Sequence, residues 1–208
     1  MRKVVVVEYM SLDGVIQAPG HPHEDPDGGF DHGGWTGPFM DDHRRYMRPS
    51  FQATDALLLG RVTYEIFAAY WPTVRDDDDD IARTLNTRPK YVASTTLHDP
   101  HWTATTVIKR DVAVEVAKLK EQPGKDILVV GSSTLAQTLM RHNLVDEYRL
   151  WMHPIVLGRG KRLFRDGSPM TTLRLVDTKV TSSGLVILTY EPAGHPVGEA
   201  VEKAIDDC

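Results

Sequence analysis

Residues 58–65 read Leu58-Leu59-Gly60-Arg61-Val62-Thr63-Tyr64-Glu65, and this stretch indicates the fold class. The apolar residues 56–59 predict a short buried strand that Gly60 ends, and residues 62–70 predict a helix. Open α/β sheets bind ligands where strands end and helices begin. Because the first turn of a helix has unpaired N–H groups and a partial positive charge, such a turn suits a phosphate group.

Two later turns have the same character. Ala93-Ser94-Thr95-Thr96 follows a predicted strand, and Val130-Gly131-Ser132-Ser133-Thr134-Leu135 runs from a strand through a glycine and hydroxyl groups into a helix. One such turn alone is ordinary, since glycine and serine are common in turns and caps. Three turns in this order are a stronger signal, and they predict anion-binding sites with Arg61 and the hydroxyl groups as donors.

Outward from these turns, strands alternate with helices along the chain. Strands are predicted at 4–9, 56–59, 90–94, 105–109, 126–130 and 147–155, and helices at 41–54, 62–70, from the acidic run 76–80 to about 86, 111–121 and 134–142. Residues 173–180 and 185–191 predict a C-terminal β-hairpin around Ser182-Ser183-Gly184. This order predicts an α/β fold with three layers, in which helices flank a central mixed and mostly parallel sheet. Residues 1–192 would form one domain, and 193–208 a polar C-terminal tail.

The composition excludes several classes of protein. Hydrophobic residues make up 41% and charged residues 25%, as in globular proteins, and the net charge of −5 offers no basic surface for nucleic acid or an anionic membrane. The apolar runs are far shorter than the roughly 20 residues that cross a bilayer. The one cysteine, Cys208, cannot form a disulfide within the chain. We therefore expect a cytoplasmic protein that binds neither nucleic acid nor membrane.

Residues 17–38 are rich in Pro, Gly, His and Asp and show no periodic apolar pattern. The segment contains side chains that bind metals, among them His21, His23 and His32, but without the spacing of a preformed metal site. We predict no metal. Long irregular segments of compact domains are often functional, and this one is interpreted as a flap over the ligand, with Gly28-Gly29 and Gly33-Gly34 as hinges.

Taken together, the motifs resemble the dihydrofolate-reductase-like superfamily, specifically proteins similar to the C-terminal reductase domain of the bifunctional riboflavin-biosynthesis deaminase/reductase. Five segments carry the resemblance and sample the chain from residue 1 to about 191, namely 9–16 (Tyr-Met-Ser-Leu-Asp-Gly-Val-Ile), 58–65, 90–95, 129–133 and 154–164 (Pro-Ile-Val-Leu-Gly-Arg-Gly-Lys-Arg-Leu-Phe). The resemblance implies a dihydrofolate-reductase-like fold with NADPH lying across the strand ends.

The resemblance also implies roles for individual residues. Arg61 and Thr63 would contact the cofactor phosphates, Ser94 and Thr95 would lie beside the adenosine 2′-phosphate, and residues 131–134 would hold the pyrophosphate. The residues implied at the cofactor are Leu12, Gly14, Gly60, Arg61, Thr63, Ser94, Thr95, Gly131, Ser132, Ser133, Thr134 and Leu135.

Two carboxylates are candidates for the catalytic proton donor. Asp13 follows the first strand beside the expected nicotinamide, although an aspartate before Gly14 is also an ordinary turn residue. Asp41 follows Trp35 in a predicted first helix, where an acidic residue in the first turn is the simpler interpretation. Trp35, Tyr64 and Trp71 are candidate walls for a flat substrate, with Tyr64 and Trp71 equally suited to the core.

The sequence therefore predicts an NADPH-dependent reductase of a small heterocyclic (pyrimidine- or pterin-like) or carbonyl metabolite. A homodimer is expected, because relatives of the riboflavin-pathway reductase domain commonly form one. The alternative is a non-catalytic protein that binds a nucleotide or flavin on the same fold. A catalytic protein should need Asp13 or Asp41, whereas a binding protein should tolerate Asp→Asn at either position.

Overall fold

The computed structural model describes residues 1–74 and 80–194. An eight-stranded sheet runs through it in the order β4-β3-β2-β5-β1-β6-β8-β7. The strands are β1 (Val4–Ser11), β2 (Thr54–Gly60), β3 (Lys90–Ala93), β4 (Thr105–Ile108), β5 (Asp126–Val130), β6 (Glu147–His153), β7 (Leu173–Val180) and β8 (Val186–Pro192). Strands β1 to β6 are parallel to one another, and β8 and β7 add an antiparallel hairpin beside β6 at one edge. The predicted mixed, mostly parallel sheet with a C-terminal hairpin is confirmed.

Helices cover both faces of the sheet and complete the three predicted layers. They are α1 (Met40–Ala53), α2 (Arg61–Tyr70), α3 (Asp80–Thr87), α4 (Val112–Glu121) and α5 (Ser133–Arg141). The first three pack on one face through Met47, Tyr64 and Leu85, and α4 and α5 pack on the other through residues such as Val116 and Leu139. The fold thus buries both sides of its parallel strands, which is why those strands are almost continuously apolar.

Strand β1 lies near the middle of the sheet and separates the two cores. Because successive side chains of a strand point to opposite faces, Val4 and Val6 join the core under α4 and α5, while Val5 and Val7 join the other. The parallel pairing of β1 with β5 ends at Val7, opposite Val130, whereas its pairing with β6 continues to Ser11. Beyond Val7, β1 and β5 therefore diverge.

The predicted element boundaries agree with the structure to within a few residues. Asp111 occupies the N-cap position of α4 with a left-handed backbone (φ 49°), and its side chain makes no capping hydrogen bond. Pro49 lies inside α1 without ending it. Most of the acidic run 76–80 and of the C-terminal tail 193–208 lies outside the described residues.

None of the helices in residues 1–74 and 80–194 combines the length and apolar character needed to cross a membrane.

Candidate functional site

A cleft of about 640 Å³ crosses the carboxyl ends of the parallel strands. Residues from the ends of β1, β2, β3, β4 and β5 line it, together with the first turns of α2 and α5. Its volume is that of a small-molecule or cofactor site. The cleft thus lies where open α/β sheets bind their ligands.

The turns after β2 and β5 meet in the middle of the cleft, and we call the residues 60–63 and 131–134 the phosphate cradle. The backbone N–H of Gly60 donates to Ser132 Oγ at 2.9 Å, which joins the two turns. Gly131 and Ser132 both have positive φ (58° and 66°), and neither helix has a side-chain cap on its first turn. The open N–H groups of α2 and α5 suit an anion.

At Gly131 of the cradle, the backbone conformation favours glycine. Gly131 has a left-handed backbone, and a Cβ added there would lie 3.6 Å from Thr63 Oγ1. A side chain at this position would therefore be strained and would project toward the hydroxyl of Thr63. All of the predicted phosphate-binding residues of these two turns, including Arg61 and Leu135, line the same cleft.

Arg61 stands at the edge of the cradle with its guanidinium paired to Glu65, at 2.8 and 2.9 Å from the two carboxylate oxygens. Both side chains are about half exposed. Because exposed ion pairs contribute only about 0–1 kcal/mol, a bound phosphate can compete with Glu65 for the guanidinium.

The end of the cleft at β3 and β4 has polar and cationic character. Ser94 Oγ accepts hydrogen bonds from the backbone N–H groups of Thr96 and Leu97 at 3.1 and 2.9 Å, so its own proton is free to be donated outward. Thr95, Thr96 and the exposed Lys109 line the cleft beside it. This group of hydroxyls and one cation can bind a second anion.

The end of the cleft at β1 contains a residue that the sequence analysis did not identify. Glu8 lines the cleft and is 2% exposed, and its Oε1 has no hydrogen-bond partner among the described residues. Burial raises the pKa of its carboxyl group to about 8, so the group is largely protonated at neutral pH. The available signal was a glutamate inside the otherwise apolar run 4–10, which is unusual for a strand buried on both faces.

Asp13 lies outside the cleft lining and is occupied by structural hydrogen bonds. Its carboxylate accepts from the Ser11 hydroxyl at 2.7 Å and from the backbone N–H groups of Leu157 and Gly158 at 3.1 and 2.8 Å. Partial burial pushes its pKa upward, but these hydrogen bonds outweigh burial and lower the pKa to about 2. Asp13 is thus a poor proton donor, and it holds the loop after β6 to the loop after β1.

The second predicted proton donor, Asp41, is exposed in the first turn of α1 and does not line the cleft. Its neighbour Asp42 accepts a hydrogen bond from the Ser183 hydroxyl, which joins α1 to the hairpin turn between β7 and β8. The structure thus gives Asp41 the simpler role considered from sequence, an acidic residue near a helix N-terminus.

Leu12 and Gly14 also lie outside the cleft lining. Leu12 is 60% exposed, and its backbone N–H donates to the carbonyl of Ile155. Gly14 has a positive φ of 84° within the turn that follows β1. From this segment the cleft is lined instead by Ile16, Gln17 and Ala18.

The three predicted aromatic walls are placed elsewhere. Tyr64 is 1% exposed in the core, where its hydroxyl accepts from the backbone N–H of Trp102. Trp35 is buried and donates its indole N–H to the carbonyl of Gln17 at 2.8 Å. Trp71 does not line the cleft and packs edge-on against Phe67, which does.

The aromatic residues that line the cleft are Tyr9 and Phe67, with Ile66 beside them. Periodicity contains the signal for both. Tyr9 is two residues after Val7 on one strand face, and Phe67 is four residues after Thr63 on one helix face, so each shares a direction with another cleft residue. Behind Tyr9 lies His43, whose ring stacks on it at 4.1 Å and shares a 2.8 Å hydrogen bond with His153.

The segment 17–38 folds over one end of the cleft. Gln17 is its anchor, because its amide donates to the carbonyls of Asp25 and Asp27 and accepts from the backbone N–H of Lys161. Lys161 in turn pairs with Asp25 at 2.7 Å and with Asp27 at 3.0 Å. Residues 19, 20, 24 and 25 contribute to the cleft lining, and the hinged flap stays a prediction. No group of three or more His, Cys, Asp or Glu side chains in the described ranges could hold a metal ion.

Comparison with known proteins extends these observations. The model of the RibD C-terminal domain family matches residues 2–187. Two curated relatives come from Bacillus subtilis (strain 168). Uncharacterized protein YyaP is 32% identical over 195 residues (91% of this chain and 94% of the relative), and Uncharacterized protein YwjB is 29% identical over 178 residues (86% and 91%).

Two solved structures share the fold at low sequence identity. A putative riboflavin biosynthesis protein from Shewanella sp. PV-4 has a TM-score of 0.64 at 19% identity, and covers 91% of this chain and 98% of its own. A pyrimidine reductase-like protein from Corynebacterium diphtheriae has a TM-score of 0.54 at 13% identity, with 93% of both chains covered. The predicted dihydrofolate-reductase-like α/β fold is confirmed.

Proposed function

Because the chain belongs to the RibD C-terminal domain family, we propose that it is an NADPH-dependent reductase of a small heterocyclic (pyrimidine- or pterin-like) or carbonyl metabolite. The phosphate cradle is the observation that carries the proposal. It joins two helix N-termini, a left-handed Gly131-Ser132 turn and the hydroxyl of Thr63 at the centre of one cleft. Such an arrangement fits a pyrophosphate.

The order of the strands gives the bound cofactor a direction. With the pyrophosphate between the ends of β2 and β5, the cleft extends past β3 and β4 on one side and to β1 on the other. The cationic and hydroxyl-rich end suits the adenosine 2′-phosphate, and the end at β1, where Glu8 and Tyr9 line the cleft, suits the nicotinamide. When bound, the reduced nicotinamide supplies the hydride, while the protein holds the reactants together and excludes water.

The preference for NADPH over NADH would come from Lys109, Ser94 and Thr95. These residues lie at the β3 and β4 end of the cleft, apart from the cradle. A charge-assisted hydrogen bond contributes roughly 1.5–3 kcal/mol, and NADH would lose such a contact because it lacks the 2′-phosphate. Lys109 would therefore strengthen the binding of NADPH relative to NADH, whereas Arg61 would strengthen the binding of both cofactors.

The acceptor would occupy the space beside β1 and α2. Tyr9 of β1 and Ile66 and Phe67 of α2 line the cleft, and Pro19 and Gly20 of the segment 17–38 also belong to its lining. Aromatic and aliphatic walls of this kind favour a flat ring over an extended polar substrate. The heterocyclic substrate class rests on these walls and on the likeness to a pyrimidine reductase-like protein.

A fluorescence titration with NADPH and NADH tests the cofactor site. We expect micromolar binding of NADPH, clearly tighter than NADH, with Arg61→Ala weakening NADPH about tenfold through the loss of a charged contact. Lys109→Ala should reduce the difference between the two cofactors. Arg174→Ala is the matched control, because Arg174 also forms an exposed ion pair with a glutamate, Glu191, but lies on β7.

Reductase activity is then tested by the loss of NADPH absorbance with the ribosylamino-pyrimidine of riboflavin biosynthesis, dihydropterins and simple aldehydes as acceptors. Oxidation of NADPH that depends on one of these acceptors supports the proposal. Absence of binding of both cofactors would refute it.

A second function, non-catalytic binding of a nucleotide or flavin, is favoured by one observation. Neither predicted proton donor faces the cleft, since Asp13 holds a loop and Asp41 is exposed on α1. Tight NADPH binding without oxidation by any acceptor class would support this alternative. The homodimer and the cytoplasmic location stay predictions.

A further inference from the structure

Glu8 is the one buried acidic residue of the cleft lining, and its Oε1 has no hydrogen-bond partner among the described residues. The other carboxylates of the lining are satisfied. Glu24 accepts from the backbone N–H groups of Gly20 and His21, and Asp25 pairs with Lys161. Leaving a buried polar group unpaired costs about 1–3 kcal/mol. Among the carboxyl groups of the cleft lining, this loss of stability falls on Glu8 alone, on the strand β1 that forms the floor of the cleft.

The surroundings of Glu8 explain why none of the described residues pairs with its Oε1. Its side chain lies on the same face of β1 as Val6 and Met10, both members of the apolar core under α4 and α5. Ile16 and Leu135, which also line the cleft, belong to the same core. On the side of β5, strand pairing ends at Val7, one residue earlier. Glu8 is thus the first residue of β1 that has no partner on β5, and the cleft begins at this edge of the strand.

A phosphate does not fit this position, because a carboxyl group offers an anion at most one O–H donor, whereas the cradle offers several N–H and O–H donors. A group that both donates and accepts hydrogen bonds does fit, since a carboxylic acid presents an O–H donor and a carbonyl acceptor side by side. A primary amide has the complementary pair, an N–H donor and a carbonyl acceptor. The nicotinamide ring carries such an amide.

We propose that the Glu8 carboxyl group binds the carboxamide of the nicotinamide ring and so orients the ring on the floor of the cleft. This inference rests on the proposed function, because it requires NADPH to lie with its nicotinamide at β1. The Glu8 O–H would donate to the carboxamide oxygen, and the carboxamide N–H would donate to the Glu8 carbonyl. Glu8 would thereby fix which face of the ring meets the acceptor.

The test uses three probes that differ only at the nicotinamide end: NADP⁺, its 3-acetylpyridine analogue and 2′-phospho-ADP-ribose. The analogue keeps the carbonyl but has no N–H, so the wild-type protein should bind it about fivefold to tenfold more weakly than NADP⁺, as expected for one hydrogen bond. Glu8→Leu should bind NADP⁺ and the analogue equally. Glu8→Gln should retain the discrimination, because an amide side chain also donates and accepts.

Two controls separate the roles of the cleft. Binding of 2′-phospho-ADP-ribose, which has no nicotinamide ring, should be unchanged in Glu8→Leu, and this result would show that the cradle is intact. Glu24→Gln is the matched control, because Glu24 lines the same cleft but is already hydrogen-bonded to the backbone. It should leave the ratio of NADP⁺ to analogue affinity unchanged.

Equal affinity of the wild-type protein for NADP⁺ and the analogue would overturn the inference while leaving the proposed function in place. An unchanged ratio in Glu8→Leu would do the same. If neither NADP⁺ nor 2′-phospho-ADP-ribose binds, the inference and the proposed function fail together.

Discussion

Glu8 and Asp13 are carboxylic acids five residues apart, at the end of β1 and in the loop after it, yet their environments are opposite. Asp13 accepts three hydrogen bonds, and its pKa is lowered to about 2. Glu8 has no partner for its Oε1, and its pKa is raised to about 8 by burial. The protein therefore has a carboxylate that stabilises a loop and a neutral acid that faces the cleft.

Asp13 is the more conspicuous of the two residues in the sequence, but Glu8 has more capacity left to bind a ligand. Asp13 stands in the segment Ser11-Leu12-Asp13-Gly14, which draws attention in the sequence, but its oxygens are occupied by Ser11, Leu157 and Gly158. Glu8 stands in an apolar run and draws none. A side chain that is already hydrogen-bonded within the protein has little capacity left for a ligand, whereas a buried unpaired one is an available site.

The largest expected effect that tests this contrast is the pH dependence of stability due to Glu8. Its pKa is higher in the folded protein than the ordinary value of 4.5, so the folded state holds the proton more tightly than the unfolded state. The contribution of Glu8 to the free energy of unfolding should therefore be fully present below pH 4.5 and be lost as the pH rises to about 8. The loss should amount to a few kcal/mol, at about 1.4 kcal/mol per pKa unit.

Urea unfolding of the wild-type protein and of Glu8→Gln between pH 5 and pH 9 measures this effect, with Glu121→Gln, at the exposed end of α4, as the control. Relative to the wild type, Glu8→Gln should gain stability steadily with pH, because the amide does not ionise. A constant difference between the two proteins across this range would show that Glu8 is ionised or solvated in the folded state.

A smaller effect is expected at Asp13. Asp13→Asn removes the negative charge of the carboxylate that accepts hydrogen bonds from the backbone N–H groups of Leu157 and Gly158. The substitution should lower the free energy of unfolding by about 2 kcal/mol at pH 7. Because the pKa of Asp13 is lowered in the folded state, the wild-type protein should lose this stabilisation as the pH falls from about 4 to about 2. NADPH affinity should change little, since Asp13 does not line the cleft.

Asp41→Asn provides the comparison for this measurement. An exposed aspartate in a first helical turn should change stability by no more than about 0.5 kcal/mol. A large loss of NADPH affinity in Asp13→Asn at unchanged stability would contradict this account. It would show that Asp13 contacts the cofactor and does not only stabilise the loop.

The fold and the phosphate cradle could be predicted from the sequence because their signals are local. Each strand and helix is short and periodic, and Gly60, Gly131 and the hydroxyl residues near them stand directly at the strand-to-helix turns that form the cradle. Such turns are recognisable from a few consecutive residues, whatever the rest of the chain does.

The floor and walls of the cleft depend on contacts between distant segments, and the sequence reveals them less well. Glu8 becomes a cleft residue because β5 turns away at Gly131, more than 120 residues later in the chain. Tyr64 and Phe67 lie on one helix, but only Phe67 shares the face of Thr63, and Tyr64 turns into the core beside Ala68. Which strands lie next to each other, and how a helix is rotated about its axis, determine which of these side chains line the cleft.

A crystal structure of the protein with NADPH tests the central claim most directly. The account predicts the pyrophosphate at residues 131–134 and 60–63, the 2′-phosphate near Ser94, Thr95 and Lys109, and the nicotinamide carboxamide within hydrogen-bonding distance of Glu8. An empty cleft at saturating NADPH, or a cofactor bound in the opposite direction with its adenine at Glu8, would contradict it.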